Sequence, residues 1–494
     1  MGIEVVRLTS QRRVWTLGLV CVAIFMLVLD ITIVAVALPE IQTGLRADLP
    51  SLQWVVGAYT LALAVFLLTG ATLGDRIGRA PLFVAGITVF TGFSAACGLA
   101  PNVVSLDVFR GLQGIGGAVL FGIAVPLITD AYPPGRERDL ALGVFGAVSG
   151  SAVAVGPLLG GLLTDLMGWR SIFWINVPIG LALLALCGPG LVRRRGERSR
   201  SIDWAGTVLV TGALCLLVLA CIQGSQLGWG SPLIVGSFAG SALLGAAFVG
   251  WELRAVDPMV DLRIFADRRY SAGALVGFGL QATLVAALNY LSLYAQNVLR
   301  YSPLDTGLRI LPLSVTAFAA AALVAPLLAR VPAVWLVGGT AATAAAGMEL
   351  LAHLSATSSF PDLLPGLLIG GVGIGMGATV LNRVAVTGVS DERTGMSSGA
   401  ATAVRQVGLA VGVGVLGIVF QHVVQQRLSA GRAAAAATAD ALNWVMQAGA
   451  AFAAATAVVA VLTLMPVRRR PGRPAPEIAE IGTGKPAEKP LEAR

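Results

Sequence analysis

The run Leu29-Asp30-Ile31-Thr32-Ile33-Val34-Ala35-Val36-Ala37-Leu38-Pro39 places one carboxylate among apolar side chains. An ionised group is expensive wherever water is absent, so it persists there mainly when it faces a cavity or a partner of opposite charge. Its chemistry is the gain and loss of a proton. A partner stands in a second apolar run, Phe109-Arg110-Gly111-Leu112-Gln113-Gly114-Ile115-Gly116-Gly117-Ala118. If the two runs cross a bilayer in opposite directions, a rise of about 1.5 Å per residue puts Asp30 roughly 22 Å beyond Trp15 and Arg110 roughly 11 Å from the far face. These depths nearly coincide. Opposite charges at one depth invite pairing, and a proton arriving at Asp30 would loosen the pair. A static structural pair, or two charges reaching separately to the outer headgroups, fits the same spacing.

Two other clusters have the residue types of a moving part. The stretch Ala71-Thr72-Leu73-Gly74-Asp75-Arg76-Ile77-Gly78-Arg79-Ala80 combines a Gly-containing turn with one acid and two bases. Arg76 and Arg79 alone are what any cytoplasmic helix end carries. Asp75 is more informative, because an acid there can hold the N-terminus of a neighbouring helix and latch one conformation. Further on, Gly143, Ala152 and Gly156-Pro157-Leu158-Leu159-Gly160-Gly161 lie on one apolar segment. Glycines four apart let two helix backbones approach closely, and a proline permits a bend, although ordinary packing of membrane helices uses the same devices.

These residues need elements that hold them in lipid. Of 494 residues 56% are hydrophobic and 12% charged, about half the charge of an ordinary soluble domain. The mean hydropathy is +0.82. About 20 apolar residues cross a bilayer as a helix. Such stretches occur near 14–38, 53–73, 81–99, 103–130, 139–164, 171–192, 203–223 and 231–251, and again near 271–298, 305–329, 332–353, 363–388, 396–424 and 441–465. Gly and Ser dilute the 139–164 and 396–424 stretches. The runs are long and lack period-2 alternation, so the expected fold is all-α and polytopic, with fourteen spans, rather than a barrel.

Arginine placement orients the spans. With the N-terminus inside, the even-numbered connections carry Arg76, Arg79, Arg136, Arg138, Arg193 to Arg195, Arg254, Arg263, Arg268 and Arg269, and the two tails add more. The opposite loops hold far fewer. This asymmetry predicts cytoplasmic termini and an even number of spans. The formal net charge of +8 is accounted for by anionic headgroups and calls for no nucleic-acid partner. The first apolar run lacks a cleavage site and reads as a retained anchor. Cys21, Cys97, Cys187, Cys215 and Cys221 fall inside apolar stretches without metal-type spacing, so neither a metal nor a cofactor is expected. Two isolated histidines and scattered acids offer no cluster for a membrane-embedded enzyme, and no residue is read as catalytic. No Walker-type run is present, which removes nucleotide hydrolysis.

The basic connection 193–201 and the charged segment 252–270 bracket the seventh and eighth stretches. The expected organisation is therefore 1–200 with six spans, 201–265 with an inserted pair and linker, 266–466 with six more, and a disordered cytoplasmic tail at 467–494. Arg110 with Gln113, and Arg405 with Gln406, are a faint echo between the halves. Internal repeats of this kind build many secondary transporters, with the substrate held between the halves near mid-membrane.

Taken in order, the segments resemble the major facilitator superfamily, and within it the fourteen-span drug:proton antiporters of the EmrB and QacA type. The 71–80 loop resembles the superfamily's helix 2–3 signature, with Ala71 and Ala80 at its first glycine and last basic position. The Arg110 stretch resembles the helix-4 motif, and Gly143 to Gly161 the antiporter motif, with Ala152 at a usual glycine. The Asp30 run is similar to the family's Asp-x-Thr motif, with Ala35 where Asn is common. Trp169-Arg170-Ser171-Ile172-Phe173-Trp174-Ile175-Asn176-Val177-Pro178-Ile179-Gly180 and Tyr294-Ala295-Gln296 with Ser302-Pro303-Leu304 are similar to its later junctions.

The resemblance implies a major facilitator fold of two six-helix bundles plus two inserted helices in the cell membrane of a bacterium. It implies export of small amphipathic organic compounds in exchange for protons by alternating access. Asp30 and Arg110 would couple the proton, Gly74, Asp75, Arg76, Gly78 and Arg79 would form a latch, and Gly143, Gly156, Pro157, Gly160 and Gly161 the antiporter hinge. Thr32, Gln113, Gln281, Asn289, Tyr290, Asn382, Arg405 and Gln406 are the candidate substrate contacts, though polar residues in spans also act as interhelical glue worth about 0.6–2 kcal/mol each. Partners are then a small molecule, protons and lipid, with no nucleotide. Export or import of an endogenous metabolite or lipid is the alternative.

Overall fold

The computed structural model describes residues 2–133, 135–190, 203–324, 327–328, 330–386 and 391–465, and those residues are helical throughout, with short turns between helices. The expected tail at 467–494 and the basic connection at 193–201 lie outside them. The first half contains α1 (Gly2–Leu45), α2 (Leu49–Ile77), α3 (Arg79–Gly98), α4 (Val103–Ala131), α5 (Arg136–Met167), α6 (Ser171–Trp174) and α7 (Asn176–Gly190). Next come α8 (Trp204–Leu227) and α9 (Pro232–Glu252). The second half has α10 (Arg268–Leu280), a π-helical segment (Gln281–Val285) and α11 (Ala286–Asn297), then α12 (Pro303–Val324), α13 (Ala333–Leu350), α14 (Phe360–Val386), α15 (Asp391–Ser429) and α16 (Ala434–Leu464).

A helix therefore stands at each of the fourteen expected stretches. By length and composition, twelve are able to cross a membrane, and thirteen if the two parts of α5 count as one span. Within the described residues the expected span at 171–192 is helical from Ser171–Trp174 through Asn176–Gly190, parted by a turn at Ile175. The glycine- and proline-rich α5 bends by 41° between Arg136–Val153 and Val155–Met167. The dilute stretch at 396–424 extends instead to a full span, Met396–Ser429.

Local chemistry sets the helix ends. Asp48 caps α2 by accepting from the Ser51 amide at 3.0 Å, and Asn102 and Ser105 form a reciprocal capping box on α4. Between α2 and α3 a single residue, Gly78, makes the turn at φ 102°, a conformation that strains any side chain. Such caps matter in lipid, where orphan backbone groups find no water.

Helices α1 to α5 pack mainly on one another, as do α10 and α12 to α16, and the two groups meet where α5 lies on α12, α15 on α2 and α11 on α1. The largest apolar cluster crosses that boundary, joining Leu29 and Ile33 of α1 to Tyr290, Leu291 and Leu416. The α8–α9 pair stands outside this core: α8 leans on α2 and α15, and α9 buries only Ile234, Ser237 and Glu252.

Candidate functional site

The pairing of Asp30 with Arg110 is present. Arg110 Nη1 lies 2.6 Å from Asp30 Oδ2, and both residues are 1% exposed. The carboxylate is surrounded by donors: Gln113 Nε2 and Asn176 Nδ2 each donate to Oδ1 at 3.0 Å. Arg110 in turn donates through Nε to the Val55 carbonyl at 3.1 Å and through Nη1 to Gln113 Oε1 at 2.8 Å. Its guanidinium lies 4.1 Å from the centre of the Tyr59 ring, whose negative face adds attraction in a dry setting. Asn176 also donates to Ser94 Oγ at 3.0 Å, and Ser94 donates to the Phe173 carbonyl at 2.9 Å.

Four helices supply its hydrogen-bonding side chains, and α2 adds the Val55 carbonyl and the Tyr59 ring. Asp30 comes from α1, Arg110 and Gln113 from α4, Ser94 from α3 and Asn176 from the first position of α7. Gln113, expected on a cavity wall, is instead wholly buried as a third member of the ion pair, because a spacing of three residues puts it on the same face of α4 as Arg110. Asn176, Ser94 and Tyr59 had no assigned role in the sequence. The available signal was polarity at a position flanked by apolar residues; Asn176 stood within the Trp169–Gly180 junction, which marked the segment but not the residue. A buried pair of this type is held by compensation on every side, and removing one member leaves an exposed cost of several kcal/mol. A proton on Asp30 cancels the charge that Arg110 faces and turns an acceptor oxygen into a donor among donors, so the network must rearrange.

The 71–80 loop ties three helices. Arg79 donates to Asp75 Oδ1 at 3.0 and 2.7 Å, to the Pro126 carbonyl at 3.1 Å, and pairs with Asp130 at 2.7 Å. Asp75 thus meets α3 through the side chain of its first residue, and the clasp to α4 runs through Asp130, which the sequence had not flagged. Arg76 is exposed. Gly74 is close-packed, since a Cβ there would come within 2.7 Å of Ile123 Cγ2.

On α5 the antiporter glycines face two directions. A Cβ on Gly156 would overlap the Thr32 side chain, and one on Gly160 would come within 2.8 Å of the Ile33 carbonyl, so both seat α5 against the helix that carries Asp30. Gly161 lies against the Pro303 carbonyl, and Gly307 of α12 against the Pro157 carbonyl. The bend in α5 thus sits between α1 and α12. Gly143 takes no part: a Cβ there would meet nothing within 4 Å.

The expected substrate contacts do not converge as a group. Thr32 is turned back on its own helix, donating to the Val28 and Leu29 carbonyls. Tyr290 is 1% exposed and engaged: its hydroxyl accepts from Gln53 Nε2 at 3.1 Å and donates to the Val413 carbonyl at 2.5 Å. That strap joins α2, α11 and α15, and Gln296 adds another by donating to the Val36 carbonyl of α1 at 2.7 Å. Asn289 is buried and donates to the Ala286 carbonyl. Arg405 donates to Asn382 Oδ1 at 2.9 Å and Thr402 Oγ1 at 2.8 Å, beside a cavity of about 10 Å³ lined by Tyr270, Gly277 and Leu381, the room of a single water. Gln281 and Gln406 each bury a side-chain oxygen with no partner among the described residues. Gln281 opens the π-helical segment, a distortion frequent at functional sites.

A family model described as Major Facilitator Superfamily matches residues 20–413. Among characterised proteins, the chain is 37% identical over 423 residues to "Multidrug resistance protein Stp" of Mycobacterium tuberculosis, covering 83% of this chain and 76% of that one. It is 36% identical over 416 residues to "Tetracenomycin C resistance and export protein" of Streptomyces glaucescens, with the same coverage. Among solved structures, a bacterial homologue of the human lysosomal transporter Spinster, in an inward-facing and unoccupied conformation, superposes with a TM-score of 0.66 at 18% identity over 92% of this chain and 98% of that one. At that identity the likeness is one of fold.

Proposed function

Because the chain belongs to the major facilitator superfamily and is a multi-pass membrane transporter rather than an enzyme, we propose that it exports small amphipathic organic compounds in exchange for protons by alternating access. The names of its relatives, which speak of multidrug resistance and of resistance with export, support the direction and the cargo class. The observation that carries the proton is the Asp30 network: one carboxylate, one guanidinium and two amides, all buried. Protonating Asp30 removes the charge that gathers α1, α4 and α7 around it. Through Gly156 and Gly160, a shift of α1 is felt directly by α5, and through Pro157 and Gly161 by α12.

In this reading the chain divides into six spans, an inserted pair and six spans, with both termini on the cytoplasmic side of the cell membrane. The Gln53–Tyr290 and Gln296–Val36 straps then lie toward the outer face and hold it shut. The Arg79 clasp to Asp75 and Asp130 steadies the cytoplasmic end of the first bundle as a latch. Gln281, Gln406 and Arg405, with Asn382, are the polar groups left to meet cargo once the halves part.

The test is efflux from vesicles containing the purified chain, with a panel of lipophilic cations and neutral antibiotics, with and without an imposed pH gradient. Wild type should export faster with the gradient, and Asp30→Asn should lose that acceleration while remaining inserted. Gradient-driven export that survives in Asp30→Asn overturns the coupling, and absence of export for the whole panel overturns the cargo class in favour of an endogenous metabolite or lipid.

A further inference from the structure

The α8–α9 pair carries two carboxylates that the Asp30 mechanism does not use. Asp203 caps α8: its Oδ1 accepts from the Gly206 amide at 2.7 Å and from Trp251 Nε1 at 2.8 Å. Glu252 ends α9, is 4% exposed, and accepts through Oε2 from the Val260 amide at 3.3 Å. In each case one oxygen is satisfied and the other, Asp203 Oδ2 or Glu252 Oε1, is buried with no partner among the described residues. Both oxygens border one spot, the space beside Gly206. A Cβ placed on Gly206 would stand 2.5 Å from the first and 2.9 Å from the second.

Among the described residues, the surroundings offer no neutralising charge. The α2 helix contributes Thr69, whose hydroxyl meets Thr207 at 3.0 Å, and the linker contributes Met259 and the Val260 amide. Arg254, Asp257 and Arg263 of the linker are exposed, and Asp261 is turned to the Arg263 amide. Among the described residues no arginine bonds either carboxylate, and no group of three His, Cys, Asp or Glu could hold a metal ion. Two ionised carboxylates converging in a buried place repel strongly, and one proton between them replaces that repulsion with a short charge-assisted hydrogen bond.

We propose that Asp203 and Glu252 share a single proton between Oδ2 and Oε1, a second proton-binding site that closes the α8–α9 pair where it meets α2 and the linker. Gly206 is required there because any side chain would fill the space the two oxygens occupy. The proton comes from bulk water, and the pair titrates as a unit. On its loss the two helix ends are pushed apart, with consequences for the Thr69–Thr207 contact and for Val260, which packs into the core of the first half. The site is independent of Asp30.

Infrared difference spectroscopy of the full chain in lipid at pH 7 tests this. Isolated carboxyls, with pKa values near 4, are almost wholly ionised there. Subtracting Glu252→Gln from wild type should reveal the loss of one protonated-carboxyl C=O band per chain. Asp203→Asn should lose the same band, since its amide donates directly to Glu252, whereas Asp30→Asn should keep it. A wild-type spectrum matching both variants in that region overturns the shared proton. So does a wild-type band that vanishes on adding sodium, potassium or calcium at fixed pH, which would mark a cation site.

Discussion

Arg110 and Arg405 both sit inside membrane-crossing helices, yet they are held in opposite ways. Arg110 faces a carboxylate, one side-chain amide, a carbonyl and two aromatic rings, and it is 1% exposed. Among the described residues Arg405 bonds only neutral partners, Asn382 and Thr402, beside a water-sized cavity, and it is half-buried. The sequence echo between them, an arginine closely followed by a glutamine, does not extend to geometry. Gln113 lies three positions after Arg110, so both meet Asp30. Gln406 is adjacent to Arg405, and adjacent positions on a helix point about 100° apart. A guanidinium cannot discharge, whereas a carboxylate can. The first site can therefore change charge with the proton supply, and the second is a fixed positive charge waiting on dipoles. On the proposed function, one half of the molecule responds to protons and the other presents a constant field.

The sharpest way to break that contrast is to neutralise each site in turn. Asp30→Asn should abolish gradient-driven efflux and, by leaving Arg110 buried without its counter-charge, destabilise the chain by about 3–5 kcal/mol. Arg405→Gln should leave the gradient dependence intact and alter which compounds are exported. If Arg405→Gln abolishes coupling as fully as Asp30→Asn in the same vesicle assay, the division of labour between the halves is wrong. Arg110→Met should cost less stability than Asp30→Asn, because the stranded Asp30 can take up a proton and Arg110 cannot lose one. Thermal unfolding in one detergent ranks the two, and the reverse order would mean that water reaches Arg110.

Packing gives the next smaller effects. Gly156→Val forces a side chain into Thr32, beside Asp30, and should cost about 1–3 kcal/mol while slowing transport at every pH. Gly143→Ala, on the same helix but with open space around it, should change stability by less than about 0.5 kcal/mol. Equal damage from both would show that the whole of α5, and not its bend near Pro157, is under packing constraint. Asn176→Ala removes one donor from Asp30 and should cost about 0.6–1.7 kcal/mol. Asn176 acts through Asp30, so its distinguishing readout is a displaced pH profile of efflux, which a purely structural loss would not produce.

Much of this architecture was legible before any coordinates, and the reasons for the exceptions are specific. Helix positions follow from hydropathy, because lipid leaves helices as the ordinary way to satisfy the backbone. The turn at Ile175, where Ser171–Trp174 ends and α7 begins, was not legible because hydropathy averages over a single-residue break. The Asp30–Arg110 pair was readable from depth alone, since charge in lipid has few solutions. Asn176, Ser94 and Asp130 were not, because a neutral or interfacial polar residue has many solutions, and only the fold decides which neighbours it meets. Tyr290 and Thr32 looked like cavity residues for the same reason: polarity in a span announces a hydrogen bond without naming the partner.

The smallest effect bears on how the two halves hold each other. Gln53 and Tyr290 join them through a single buried hydrogen bond, and the Tyr290 hydroxyl is also bound to the Val413 carbonyl. Interhelical bonds in membranes average about 0.6 kcal/mol, so Tyr290→Phe should barely move the unfolding midpoint. The same fraction of a kcal/mol acts differently on a conformational equilibrium. If this strap closes only one of the two access states, losing about 0.6 kcal/mol shifts the ratio of states by roughly threefold. Spin labels on the ends of α5 and α12 nearest Met167 and Pro303 should then report a larger separated population in Tyr290→Phe than in wild type, with Gln53→Leu behaving alike and the double variant adding little. Additive shifts would mean that the two residues hold the halves together separately. No shift at all would leave the closure to the Gly161–Pro303 and Gly307–Pro157 backbone contacts, making α5, rather than the polar strap, the part that links Asp30 in one half to Arg405 in the other.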